Sequence, residues 1–206
     1  MKALGYILLI SFLFFSCGSK KILTKYYLLD SFNPAENQSL TDTTGISPIP
    51  GSVYIQKIDV VRPYDDNTIA LRMASNEIQH YVYHKWAERP ADGIRRYIWQ
   101  ECKKNQVFEY CDISMYQIKP DYEVTGLLEI LERVGIEDHY GFRVKMYLDL
   151  RKTGESQILL AHDFDRFIPL EESAGMNVFA AGVAHILNEE LDTFIQKIRN
   201  YFKYNQ

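Results

Sequence analysis

The sequence has little basic charge, few cysteines and none of the short motifs that mark common enzyme classes. Its 206 residues hold 23 Lys and Arg against 27 Asp and Glu, which gives a formal net charge of −4. A nucleic-acid-binding surface needs a basic excess, so this balance argues against that class of protein. The chain also lacks a G-x-S-x-G elbow, a P-loop and a dinucleotide-binding fingerprint. We therefore expect no enzyme activity, no metal and no cofactor, although an unusual enzyme would escape such motifs.

One long apolar run stands at the N-terminus. Lys2 precedes an almost unbroken apolar stretch over residues 3–15, and the small residues Ser16 and Gly18 flank Cys17. A charged start, a short apolar segment and a small-residue cleavage site are typical of a secretory signal peptide. The stretch is shorter than the roughly 20 residues that a transmembrane helix needs, which favours a cleaved signal over a permanent span.

Cys17 indicates which kind of signal peptide this is. Residues 14–17 (FFSC) resemble a bacterial lipobox, in which the cysteine thiol takes a diacylglycerol and the new amino group is acylated, for example with palmitate. We expect cleavage before Cys17 and lipid attachment at its sulfur, with a plain secretory signal and a chance cysteine as the alternative. The residue after the cysteine is Gly18 and not Asp, which would retain a lipoprotein at the inner membrane. In this respect the chain resembles lipoproteins that are sent to the outer membrane and face the periplasm.

The rest of the chain reads as one unit. We expect a signal peptide over residues 1–16, a lipidated tether over residues 17–24 and a single domain over residues 25–206, since no internal repeat or second boundary appears.

After Cys17 only Cys102 and Cys111 remain as cysteines. An oxidising compartment permits a disulfide between them. Two buried thiols are the favoured interpretation, because a spacing in sequence does not show that the two side chains face each other.

Alternating apolar residues predict most of the strands. The cleanest run covers residues 140–151, and the turn 152–155 (KTGE) joins it to a strand over residues 156–167 as a hairpin. Alternation shifts phase near Gln56 and Lys57, which indicates a bulge. The expected inward-facing side chains of two strands are Ile69, Leu71 and Met73, and Ile78, Val82 and Trp86. Further strands are expected over residues 25–30 and 122–131, and a long loop over residues 33–51.

Two helices complete the prediction. The first begins near Pro90, a favoured first-turn residue, and ends near residues 103–105, where two lysines suit the negative end of the helix dipole. The second covers residues 174–204 and carries an apolar stripe with the period of a helix. This order of elements predicts an α+β fold, a two-layer sandwich in which a mixed, mostly antiparallel sheet is packed by a central helix and a long C-terminal helix.

Two groups of residues could suggest chemistry. His80 and His84 have the spacing of a zinc helix, but the segment alternates like a strand, which would set them about 13 Å apart. Such a separation is too large for one metal ion. Residues 162–165 (HDFD) contain two acids, but the strand pattern places Asp163 and Asp165 together on a solvated face. Neither group predicts a catalytic site.

Three stretches are similar to a known family. Residues 26–30 (YYLLD), 58–64 (IDVVRPY) and 84–90 (HKWAERP) resemble, in this order, the first strand, the second block and the Trp-Ala-Glu segment of the ABC-type transport auxiliary lipoproteins. This family includes the lipoprotein of the paraquat-inducible operon. Residues 65–69 (DDNTI) depart from the Arg-Pro-x-Ile stretch that often follows the second block in the family.

The resemblance implies a function as well as a fold. It implies a membrane-anchored periplasmic accessory of a mammalian-cell-entry (MCE) type ABC lipid-transport system, with an MCE-family protein and its transporter as partners. Tyr64 and Trp86 lie in the matching blocks and are candidate partner-binding residues, although a structural corner is the favoured role for Trp86. The alternative function is a lipid-binding carrier of the cell envelope. A third possibility, an envelope hydrolase, would need a set of catalytic residues that the sequence does not show. The sequence leaves open whether the chain forms a homo-oligomer.

Overall fold

A computed structural model describes residues 22–29, 47–114 and 119–205 of the chain. The predicted signal peptide, Cys17, and most of the tether and of the long loop lie outside the described residues. The described part confirms the α+β fold class, with a mixed sheet that curls into a half-barrel. Its strands are β1 (Lys25–Tyr27), β2 (Ile49–Ile55), β3 (Asp59–Val60), β4 (Thr68–Ala74), β5 (Glu77–Trp86), β6 (Phe108–Asp112), β7 (Tyr122–Ile136), β8 (His139–Lys152) and β9 (Ile158–Pro169). Its α-helices are α1 (Pro90–Lys104) and α2 (Met176–Asn205), and a single 3-10 turn covers Arg62–Tyr64.

Strand β7 organises the sheet. One of its edges pairs with β8 from Tyr122↔Lys152 to Ile136↔His139, and β8 pairs in turn with β9, both antiparallel. The other edge of β7 pairs in succession with the short strands β2, β3 and β4, all parallel to it. From there the sheet continues on one side through β5 to β1 and on the other to β6, which places β1 and β6 at opposite ends of the strand order.

The helices cover one face of this sheet and enclose the core. The apolar alternation of β8 is confirmed, because every second side chain from Phe142 to Leu150 is buried, but Asp149, expected on the solvated face, is buried as well at 1% exposure. Helix α2 lies close to β8, and a Cβ atom at Gly182 would meet the ring of Phe142 at 2.5 Å. The buried side chains of β8 and α2 include Phe142, Val144, Met146, Leu148, Leu150, Phe179, Val183, Ile186, Leu187, Leu191, Phe194 and Ile198.

Local predictions agree with several element boundaries. Helix α1 begins at Pro90 and has Lys103 and Lys104 in its last turn, as expected. The predicted interruption near Gln56 separates β2 from β3, so that both Ile55 and Ile58 are fully buried. The sequence did not predict β6 or the continuation of β7 to Ile136. The sequence pattern does not show this continuation of β7, because the charged residues Glu132 and Arg133 interrupt the alternation of apolar residues there.

The predicted inward faces of β4 and β5 are partly wrong. Val82 is 69% exposed and Met73 is 41% exposed, whereas Trp86 and Ile69 are buried as expected. The cause is an irregular pairing, since Ala70 pairs with His80 while Thr68 pairs with Lys85. Residues 81–84 therefore bulge from the ladder, and a simple alternation along β5 cannot hold.

The two cysteines of the domain are free thiols. Cys102 in α1 is buried, and Cys111 in β6 is half-buried. A hydrogen bond with the Cys111 thiol, together with burial, raises the pKa of the Cys102 thiol well above its ordinary value. In the part of the chain that the structure describes, none of the helices has both the length and the apolar character that crossing a membrane requires.

Candidate functional site

Large apolar side chains are exposed on and beside β1 and in the part of β5 that leads into their pairing. Six of them are between 44% and 72% exposed, although apolar side chains of this size usually contribute to a core. A contiguous exposed apolar patch on a soluble domain marks an interaction surface more often than chance exposure. We call this surface the apolar corner, and it consists of Ile22, Leu23, Tyr26, Leu28, Val82 and Tyr83.

The pairing of β1 with β5 holds the corner together. The two strands are parallel with Lys25↔His84 and Tyr27↔Trp86 as partners, and the Ala87 N–H donates to the Tyr27 carbonyl at 2.7 Å. Leu23 and Val82 each lie two residues before the paired residues Lys25 and His84. The outer edge of β1 has no partner strand among the described residues, so its backbone groups are available for pairing.

An aromatic cluster fixes the inner side of the corner. The Tyr27 hydroxyl and His84 Nδ1 lie 2.8 Å apart in a hydrogen bond, and the two rings stack with centroids 5.8 Å apart. Tyr81 meets the same imidazole edge to face. Burial lowers the pKa of His84, and the positive charges of Lys25 and Arg133 lower it further. A neutral His84 therefore holds β1 in register, which turns Tyr27 inward and Tyr26 outward.

A shallow groove runs between the corner and the start of α2. It has a volume of about 600 Å³, and its floor and walls combine the backbone of β1 with small residues of the helix. Three of the four helix residues that line the groove are alanines, which leave space beside β1. The helix residues that line it are Asn177, Ala180, Ala181 and Ala184.

Trp86 pairs with Tyr27 through its backbone, and its side chain is buried in the core. It is 1% exposed, and its ring packs against Phe179 of α2 with centroids 5.6 Å apart. The ring thus anchors the end of β5 to the core just before the chain turns into α1. This burial gives Trp86 the structural corner role, and no observation tests its contact with a partner, so that part stays a prediction.

Tyr64 is also buried, on the other side of the sheet. Its hydroxyl donates to Glu132 Oε2 at 2.6 Å, and Arg72 bonds the same carboxylate through Nε at 2.5 Å and Nη2 at 2.9 Å. Burial and the Glu132 carboxylate raise the pKa of Tyr64 to about 12, so the phenol stays protonated and keeps donating. The ring fixes the 3-10 turn to β7, and its contact with a partner likewise stays a prediction.

The histidines and acids singled out from the sequence do not converge. His80 Nε2 bonds the Pro63 carbonyl at 2.9 Å, whereas His84 bonds Tyr27. Among residues 22–29, 47–114 and 119–205, no group of three His, Cys, Asp or Glu side chains could hold a metal ion. Asp163 and Asp165 are exposed as predicted, and Asp165 pairs with Arg143 across to β8.

One buried polar cluster was missed by the sequence reasoning. His162 is 4% exposed, and its Nε2 lies 3.0 Å from Glu190 Oε2 while its Nδ1 lies 2.9 Å from Lys197 Nζ. Arg166 completes the cluster at 2.6 Å from Glu190 Oε1. The alternation of β9 could have predicted the burial of His162. If Asp163 and Asp165 point outward, His162 and Phe164 must both point inward. The cluster ties β9 to α2 and lies far along the chain from the apolar corner.

Comparisons with known proteins identify the fold class and leave the family open. No family model and no curated protein sequence matches the chain. Among solved structures, a DUF330 protein from Xanthomonas campestris matches with a TM-score of 0.64 at 14% identity, covering 78% of this chain and 90% of that one. A second structure, of an uncharacterised protein, matches with a TM-score of 0.59 at 10% identity, covering 85% of this chain and 99% of that one.

These matches define an α+β domain with the fold of DUF330 proteins. A third structure, the PelC dodecamer from Paraburkholderia phytofirmans, matches with a TM-score of 0.40 at 10% identity, covering 71% of this chain and 91% of that one. That score is too low to support an argument about the assembly of this chain.

Proposed function

We propose that this chain is a membrane-anchored periplasmic lipoprotein and a non-catalytic accessory of an MCE-type ABC lipid-transport system. Its task would be to dock the periplasm-spanning component at the outer membrane. The observation that carries the proposal is the order of the three similar blocks, with the lipobox-like Cys17 immediately ahead of the first. The likeness of the fold to a DUF330 protein supports it, because that likeness covers 78% of this chain.

The positions of the blocks in the fold also support the proposal. Residues 26–30 include the end of β1, residues 58–64 cover β3 and the 3-10 turn, and residues 84–90 lead from β5 into α1. The first and third blocks meet directly, since Tyr27 pairs with Trp86. Two of the three segments that resemble the family are thus joined in space.

Tethering explains how such a domain could act without covalent chemistry. Each buried methylene of an acyl chain contributes about 0.8 kcal/mol, so two or three chains on one cysteine give essentially permanent anchoring. A binding surface held at the membrane raises the effective concentration of a partner's docking site there. The domain would thereby position the outer end of a periplasm-spanning assembly.

The anchor is tested by fractionation after expression in a double-membrane bacterium. The Cys17→Ser variant should move from the membrane to the soluble fraction, whereas the matched Cys111→Ser variant should stay membrane-bound. Intact-mass measurement of the wild-type chain should show cleavage before Cys17 and the added acyl mass. A wild-type chain of unmodified mass, or a Cys17→Ser variant that stays on the membrane, would contradict the proposal.

The partner is tested by affinity capture from detergent-solubilised membranes. The lipidated chain should retain the MCE-family protein encoded by the same genome, and deletion of the chain should weaken membrane retention of that protein. An unrelated outer-membrane lipoprotein with the same tag serves as the control. Capture of the MCE protein by the control alone, or by neither chain, would argue strongly against the docking role.

A lipid-binding carrier is the second candidate, and the groove of about 600 Å³ beside β1 favours it. The interior between the sheet and α2 favours docking instead, because side chains such as Phe142, Phe179 and Val183 fill it at 0–1% exposure. Native mass spectrometry of the delipidated soluble domain would separate the two. A co-purified, non-covalent lipid would support the carrier, and its absence would support the docking role.

A further inference from the structure

We propose that the apolar corner lies on the bilayer surface and sets the orientation of the whole domain at the membrane. The inference rests on the proposed lipid anchor at Cys17 and goes beyond it, because an anchor alone leaves a domain free to rotate. The occupant of the corner is thus a lipid surface, and the six side chains of the corner enter the headgroup region.

The length of the link supports this placement. Four residues lie between Cys17 and Ile22, which makes five steps along the chain, and an extended chain spans at most about 3.6 Å per step, so the link reaches about 18 Å. With the cysteine sulfur at the membrane surface, Ile22 cannot be much further away than that. The exposed apolar residues of β1 follow within the next six positions, so the corner is the part of the described domain held nearest to the lipid.

The chemistry of the corner fits an interface between water and hydrocarbon. Four of its side chains are aliphatic, and the other two are tyrosines, whose amphipathic rings favour the headgroup level of a bilayer. Lys20 and Lys21 directly precede Ile22 in the sequence, and Lys25 begins β1, so basic residues adjoin the apolar residues along the chain. Anionic lipid headgroups attract such basic residues next to an apolar surface.

The fold converts this contact into an orientation. Helix α2 begins beside the corner, where it lines the groove with β1, and its 30 residues span about 45 Å. Its last turns pack at the other end of the sheet, where Phe202 meets Phe108 of β6 with ring centroids 5.8 Å apart. With β1 on the bilayer, β6 and the end of α2 point into the periplasm, which is where a spanning partner would arrive.

Two other occupants of the corner are distinguishable by experiment. A second copy of the chain, or a strand from a partner, could pair with the open edge of β1 by strand addition. Both would cover the corner with protein, whereas the proposal covers it with lipid. The nature of whatever touches Tyr26 and Val82 therefore decides between them.

The test uses photocrosslinking in the full lipidated chain, reconstituted in vesicles of phosphatidylethanolamine and phosphatidylglycerol. The photoreactive residue p-benzoylphenylalanine replaces Tyr26 or Val82 in the corner, and Tyr110 or Tyr204 as controls of comparable exposure at the far end. After irradiation, mass spectrometry measures adducts with phospholipid. Positions 26 and 82 should give about tenfold more lipid adduct than positions 110 and 204, because an interfacial contact enters only the outer 5–10 Å of the bilayer.

Each outcome has a defined meaning. Equal lipid adducts at all four positions, or adducts at positions 26 and 82 that contain a second copy of the chain and no lipid, would overturn the orientation. The Leu23→Asp and Val82→Asp double variant should keep its acyl mass and membrane fractionation while losing most of the lipid adduct at position 26. A chain that lacks the acyl mass would refute the proposed anchor, so failure of the anchor and failure of the orientation give different results.

Discussion

The apolar corner and the face of the sheet beneath α2 use similar residues in opposite ways. On the α2 face, side chains such as Phe142 and Phe179 are 0–1% exposed and pack with ring centroids 5.7 Å apart. At the corner, Leu23 and Val82 are mostly exposed. Burial of apolar area is the main source of folding free energy, so the α2 face supplies stability while the corner contributes little.

Exposed apolar surface and folding stability therefore belong to different parts of one sheet. Trp86 marks the boundary, because its ring belongs to the core while its backbone pairs with β1. Substitutions in the two regions should therefore have separable effects. Stability should fall with changes beneath α2 or in the buried polar pairs, and it should be insensitive to changes at exposed positions.

The strongest contrast is between neighbouring residues of α2. Phe179→Ala removes a fully buried ring that touches both Trp86 and Phe142, and it should lower the free energy of unfolding by about 3–5 kcal/mol. Val178→Ala, one residue earlier and exposed, should change it by less than about 0.5 kcal/mol. Urea denaturation followed by circular dichroism measures both. Similar losses of unfolding free energy for the two variants would show that α2 does not bury Phe179 while exposing Val178.

A second contrast compares a buried tyrosine with an exposed one. Tyr64→Phe removes the hydroxyl that donates to the buried Glu132 carboxylate, and it should cost about 1.5–3 kcal/mol. Tyr26→Phe at the apolar corner should change stability by less than about 0.5 kcal/mol. The same denaturation curves test both variants, and a neutral Tyr64→Phe would mean that Arg72 alone satisfies Glu132.

Gly182 tests how closely α2 approaches the sheet. A methyl group there would press on the Phe142 ring, which is buried and cannot swing away, so Gly182→Ala should destabilise the domain by about 1–2 kcal/mol despite the better helix propensity of alanine. Gly175→Ala, where a Cβ has nothing within 4 Å, is the matched control and should not destabilise the domain. A stabilised Gly182→Ala variant would place the helix further from β8.

The smallest expected effect is a pH dependence at His162. Burial and the Lys197 ammonium lower the pKa of His162 below its ordinary value of 6.5, whereas Glu190 and Asp163 oppose the shift. The neutral ring donates from Nε2 to Glu190 and accepts at Nδ1 from Lys197. Below pH 6.5 the unfolded chain binds a proton that the folded chain does not, so this residue's contribution to stability falls as the pH drops toward the folded-state pKa.

Two variants measure that contribution. His162→Gln should remove part of the loss of stability between pH 7 and the folded-state pKa, seen as a flatter plot of unfolding free energy against pH. Lys197→Met should raise the pKa of His162 toward its ordinary value and flatten the same plot less completely. A plot unchanged by both variants would show that the loss of stability in this range arises elsewhere.

Sequence reasoning succeeded where the determinants were close in the chain. The start of α1 at Pro90, the hairpin between β8 and β9, and the apolar stripe of α2 each follow from residues within a few positions of one another. It failed where a distant residue decides the outcome. Glu132 lies buried within β7 because Arg72 pairs with its carboxylate and Tyr64 donates a hydrogen bond to it. Val82 is exposed where β4 pairs irregularly with β5.

The candidate site also has features that the sequence shows and features that only the structure shows. Cys17 and the three similar blocks are visible in the sequence, as is the apolar character of Leu23 and Tyr26. Their joint exposure at one corner is not, because it depends on the parallel pairing of β1 with β5 across a separation of about sixty positions. Nothing in the local pattern of residues 22–28 distinguishes an exposed edge strand from a buried one.

By itself the sequence determined the positions of the helices, through their short-range periodicity, and the long β8–β9 hairpin, through its turn residues. It also determined which sulfur is expected to carry lipid, through a local motif. Only the tertiary structure decided which apolar residues stay outside the core. The reason is that burial is a property of packing between distant elements, and a chain has more apolar side chains than one core of this shape can cover.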